Sequence, residues 1–99
     1  MYQLKVKEVK AKCFYEMNYI NELSCLLDSF KHFLKYNKYI HSQNRENFNK
    51  FIEYLMLLIR LSENPRDSKA KYYLKNLLNE NFIESRHWLV DKFDSICNN

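Results

Sequence analysis

Apolar residues return at three- and four-residue steps along most of this chain, the period of helices with one buried face. In the first third, Val6, Val9, Cys13, Ile20, Leu23, Leu27, Phe30 and Leu34 form such a stripe, widened by Met17, Leu26 and Phe33. The stripe predicts helix from about residue 4 to 37, either continuous or kinked near Asn18 and Asn21. Tyr2, Leu4 and Val6 alternate with polar residues, which is a strand signal. An isolated strand would have no partner here, so residues 2–12 are read as helix.

Asn37 to Asn44 reads as the first connection, with Asn standing in for Gly at a helix end and Ser42 or Asn44 offering a cap to the next helix. In that second helix Phe48, Phe51, Ile52, Leu55, Leu58, Ile59 and Ser62 share one face. Tyr54, Leu57 and Leu61 make a second stripe on another side. A helix apolar over most of its circumference is either central or serves two interfaces. Ser62 to Ser68 is the clearest loop: Pro65 stops the helix, and Asp67 or Ser68 can cap the third. Ala70, Tyr73, Leu74 and Leu77 then align, and the register shifts at Asn79-Glu80-Asn81 to Leu78, Phe82, Leu89, Phe93 and Ile96. A fourth helix starting near Phe82, or one long helix that changes its buried face, accounts for the shift.

The chain has 99 residues, no glycine and one proline. Without glycine, tight positive-φ hairpins are hard to make, and Gly-rich phosphate loops cannot exist. That excludes Walker-type ATPases and Rossmann dinucleotide binders, and disfavours β-sandwiches. The expected fold is therefore all-α: one domain over 1–99, a compact antiparallel bundle of four helices, or three if the last two merge. Eight Tyr, seven Phe and one Trp supply the apolar bulk, which sets the chain apart from disordered sequences.

The formal charge is +4, unevenly spread: Lys5, Lys7, Lys10 and Lys12 crowd the N-terminus against Glu8 alone. Cys13, Cys25 and Cys97 have no metal-type or redox-motif spacing. The N-terminal lysines alternate with apolar residues, so no secretory leader is expected, and Tyr54–Ile59 falls far short of a membrane span. A reduced cytoplasmic setting with free thiols follows as the expectation. Asn and Lys number twelve each against two Ala, a codon bias toward an AT-rich genome such as a low-GC bacterium, its phages or its plasmids.

Two constellations invite chemistry. Cys25, Asp28 and His32 fall at i, i+3 and i+7, but Cys25 and His32 are then about 10.5 Å apart along the axis, too far for nucleophile and base. Glu84 and His87 have the Glu-x-x-His spacing of di-iron bundles, yet no second copy of that motif exists. No catalytic residue, cofactor or metal site is expected.

Surfaces carry more. Tyr54, Leu57 and Leu61, with Tyr36, Tyr39 and Trp88, exceed what a few short helices can bury and are candidate protein-binding residues. The expected function is non-catalytic protein–protein binding, as an inhibitor, immunity-type factor or adaptor. Small size and AT-rich coding suit a phage or mobile element, and the second stripe of helix two could pair two copies as a homodimer. The alternative is a helical nucleic-acid-binding regulator using Arg66, Lys69, Tyr72 and Lys75 with Lys5 and Lys12. No helix combines a lysine face with a spare apolar face, so no membrane partner is expected.

Overall fold

The computed structural model describes residues 2–64 and 69–98, and within them the chain is all-α. Five helices follow in order: α1 (Tyr2–Glu16), α2 (Ile20–Tyr36), α3 (Ser42–Glu63), α4 (Ala70–Leu78) and α5 (Arg86–Cys97). Residues 2–12 are helix, not strand. Of the two readings of residues 4–37, the interruption near Asn18 is the one found, and it separates two helices, which raises the count from four to five.

The division lies at Asn18, whose φ is 61°. Asn enters the left-handed region more readily than most residues. There it builds a full Schellman end for α1. Asn18 N–H donates to Tyr15 O at 3.1 Å and Tyr19 N–H to Phe14 O at 2.8 Å. The Phe14 and Tyr19 rings, 6.3 Å apart, supply the hydrophobic contact that accompanies this motif.

The chain forms two compact units, Met1–Arg45 and Glu46–Asn99. In the first, α1 and α2 make an antiparallel hairpin, with Lys7 near the start of α1 lying over Phe33 near the end of α2. α2 buries Leu23, Leu27, Phe30 and Leu34, the seam its pattern predicts. α1 does not continue that seam. It buries Leu4, Glu8 and Ala11, while Val6, Val9 and Cys13 are exposed. The break at Asn18 uncouples the rotation of α1 from that of α2, so the longer periodicity has no hold on it. Leu4, Glu8 and Ala11 still share a face at i, i+4 and i+7. The Glu8 carboxylate keeps Lys5 Nζ at 3.6 Å.

In the second unit α4 and α5 pack antiparallel. α3 contributes Phe48, Phe51, Ile52, Leu55, Leu58 and Ile59 as buried residues. Ser62, expected on that face, is exposed and turns its hydroxyl back to Ile59 O at 2.7 Å. Phe93 of α5 sits at the centre of an aromatic cluster, with Tyr54 edge-on at 6.0 Å and Tyr73 at 6.5 Å. α5 begins at Arg86, four residues beyond the expected start, and this leaves Phe82 exposed in the connecting turn. Pro65, Asp67 and Ser68 lie outside the described residues.

Candidate functional site

Without glycine, the carbonyls at the end of α2 need another partner. Arg45 supplies it. Its guanidinium reaches back to donate to the carbonyls of Leu34, of Asn37 at 3.0 Å, of Ile40 at 3.3 Å and of Lys35 at 3.5 Å. A planar fork with five N–H donors can serve several carbonyls at once, and its charge suits the negative end of a helix. Two local bonds tighten the same turn. Asn37 Oδ1 accepts from Tyr39 N–H at 3.0 Å, and His41 Nδ1 accepts from Gln43 N–H at 3.2 Å. The second bond caps α3, so the cap is His41 and not Ser42 or Asn44.

This pinned turn, residues 37–41, presents Tyr39, and Tyr36 at the end of α2 lines the same shallow concavity. Tyr39 is 97% exposed and Tyr36 is 61% exposed. The His32 ring packs on Tyr36 at 4.5 Å, and Lys35 Nζ lies 5.3 Å from the same ring. A cleft of about 260 Å³ opens beside them. Leu4, Phe33 and Ile40 give it an apolar floor, Gln3, Asn37 and Asn44 add carboxamides, and Tyr39 and His41 stand at the edge. A second, shallower concavity shares Phe33, Asn37 and Tyr39 and adds Lys38.

The other candidates lie elsewhere. Tyr54 and Leu61 are buried and Leu57 is half-buried, so the second stripe of α3 is not an exposed strip. That is the central-helix alternative for α3, since the Tyr54 ring is taken up by Phe93. Burial holds the Tyr54 hydroxyl above its ordinary pKa, helped by the charge of Glu80. Trp88 belongs to the second unit, half-buried against Phe51 at 6.5 Å and covered by Lys92 at 5.6 Å.

Of the basic candidates, Arg66 lies outside the described residues. Lys69, Tyr72 and Lys75 are exposed along α4, with Tyr72 against Tyr73 at 5.9 Å. Lys5 is exposed and Lys12 half-buried, both in the first unit. Cys25, Asp28 and His32 are all exposed, and His32 is engaged with Tyr36. Among the described residues no three His, Cys, Asp or Glu side chains cluster as metal ligands, and no helix is long and apolar enough to cross a membrane.

The charge follows the two units. Residues 1–45 hold eight basic and four acidic side chains, while residues 46–99 hold eight of each. The whole +4 therefore resides in the first unit. From Ser29 to Arg45 there is no acidic residue, although Lys31, Lys35, Lys38, Arg45, His32 and His41 all occur. The sequence reading missed the clamp, the cleft and the basic end. That acid-free run is the signal that could have found the basic end. Neither a protein-family model, a curated protein sequence nor a solved structure matches the chain.

Proposed function

We propose that this is a small, non-catalytic cytoplasmic protein that works by binding another protein through the Arg45-clamped turn of its first unit. An inhibitor, an immunity-type factor or an adaptor would act in this way. One observation carries the reading: two tyrosines stand out to solvent, Tyr36 closing α2 and Tyr39 on the adjoining turn fixed by a multidentate guanidinium. Tyrosine offers a large, rigid contact area and is enriched among the residues that dominate interfaces. A turn already held in shape loses little freedom on binding, which leaves more of the contact energy as affinity.

The test is differential capture from the source cell, comparing the wild-type chain with a Tyr36→Ser/Tyr39→Ser double variant, with nuclease present. A protein retained by the wild type and lost by the variant supports the reading. Identical proteins on both, or only material that nuclease removes, overturns it. The nuclease-sensitive result would place the nucleic-acid regulator first.

A further inference from the structure

We infer that the partner presents an acidic segment carrying one apolar side chain, and that this side chain seats in the cleft floored by Leu4, Phe33 and Ile40. The inference rests on the protein-binding reading above and names the chemistry of its partner. Three observations support it.

The first is charge. The end of the first unit that holds the cleft is ringed by cations. Lys7 Nζ lies 5.0 Å from the centroid of Phe33, whose ring lines both concavities. Lys35 lies over Tyr36, and Lys38 lines the shallower concavity. No acidic residue occurs between Asp28 and Glu46 in sequence, and Glu8, one turn along α1 from Leu4, is buried with Lys5 Nζ at 3.6 Å. An acidic ligand is drawn to such a surface, and the attraction weakens with salt.

The second is size. At about 260 Å³ the cleft falls just under the ~300–1,000 Å³ typical of small-molecule sites. That is room for one inserted side chain with its flanking backbone.

The third is polarity. The carboxamides of Gln3, Asn37 and Asn44 line it, and although Asn37 Oδ1 already accepts from Tyr39 N–H, this group type offers both donors and acceptors, the mixture a peptide backbone requires. A phosphate backbone calls for donors alone and is best met by arginine forks. Arg45, the one arginine in residues 1–45, has its guanidinium occupied by carbonyls. A concave apolar floor also differs from the flat ring platforms on which bases stack.

The experiment uses the full chain and fluorescence anisotropy at low and moderate salt. The probes are a short labelled peptide of Asp, Glu and Ser around a single Leu, the same peptide with Leu replaced by Ser, its Asn/Gln counterpart, and oligo(dT) of equal charge. The acidic Leu peptide should bind, and removing either the Leu or the charges should weaken it about tenfold, the scale of losing one anchor. Lys35→Glu with Lys38→Glu should abolish binding. Ile40→Ser should weaken it to the level of the Leu-less peptide. If Ile40→Ser disturbs the helical circular dichroism, Tyr39→Ser serves instead, because that side chain lies almost wholly in solvent.

Equal affinity for the peptides with and without Leu would overturn the inference, as would tighter binding of oligo(dT). Failure of every peptide, with Tyr36- and Tyr39-dependent capture of a protein intact, would refute the acidic-segment chemistry and leave protein binding standing. Failure of both would remove the functional reading as well.

Discussion

An arginine holds one turn in each unit, and the two turns have opposite characters. In the first unit Arg45 holds the turn after α2, and in the second Arg86 holds the turn after α4. Arg86 donates to Leu78 O at 2.8 Å and to Glu80 O at 3.1 Å. Each turn exposes an aromatic ring, Tyr39 in one and Phe82 in the other. Around Tyr39 the neighbours are Lys35, Lys38 and His41, whereas around Phe82 they are Glu80 and Glu84. The acidic turn is satisfied within its own unit. Glu80 Oε2 takes Lys50 Nζ at 2.9 Å, Glu46 adds a second contact to that lysine at 3.6 Å, and Glu84 N–H donates to Asn47 O at 3.4 Å. The basic turn keeps its lysines at the surface beside a cleft. Similar clamps thus serve closure in one unit and display in the other.

The comparison breaks most visibly at α3. Leu57 is half-buried among buried neighbours, so Leu57→Glu should cost about 2–3 kcal/mol by forcing a charge into an apolar setting. Urea denaturation would show it. A variant of unchanged stability whose sedimentation shifts to a smaller species would instead make Leu57 an interface residue between copies.

Next in size are the clamps. Arg45→Ala leaves several carbonyls without their donor and should cost about 1–3 kcal/mol. Arg86→Ala, with two carbonyls at stake, should cost less. Arg45→Lys should not restore the loss, because one ammonium cannot match a planar fork. Amide hydrogen exchange gives the sharper readout: protection should fall at residues 34–45 for the first variant and at 78–86 for the second. Loss spread evenly over both units would show that the clamps are not local devices.

A smaller effect separates the two left-handed residues. Asn18 suits its φ of 61°, but Ser85 at 56° has no such adaptation. Ser85→Gly should raise stability by about 0.5 kcal/mol, and Asn18→Gly by less. Thermal melts of the two variants would rank them, and a destabilised Ser85→Gly would contradict the strain argument.

The smallest effect is alkaline. The hydrogen bond to Glu80 raises the pKa of Lys50, and burial raises that of Tyr54. For both groups the folded value lies above the unfolded one. Their contribution is therefore full below the unfolded values of about 10 and is lost as pH climbs through the folded ones. Urea midpoints should fall between neutral pH and strongly alkaline pH, and the fall should shrink in Tyr54→Phe and Lys50→Met. Stability that rises over that range would reverse the assigned signs.

Much of the fold was legible in the sequence, and the reasons differ by element. Leu23, Leu27, Phe30 and Leu34 sit at clean helical steps, and α2 buries all four. α1 defied its periodicity because Val6 and Val9 compete with Leu4 and Ala11 for the inward face, and a break at Asn18 lets packing decide. The two stripes of α3 gave no way to tell an interface from a central helix, since both look alike until neighbours are placed. Of the candidate site, Tyr36 and Tyr39 could be named as surplus aromatics. The clamp could not, because Arg45 acts on carbonyls five to eleven residues away through geometry that no residue pattern encodes.

That short reach bears on how the chain folds. Contacts between Arg45 and residues 34–40 close a loop of at most eleven residues, so the chain entropy lost in making them is small. Local contacts of this kind form early and quickly compared with pairings distant in sequence. The segment from Leu34 to Arg45 is thus placed to acquire its native shape ahead of the long-range packing of α3 to α5, with the two tyrosines already on its outer side while the rest of the core is still assembling.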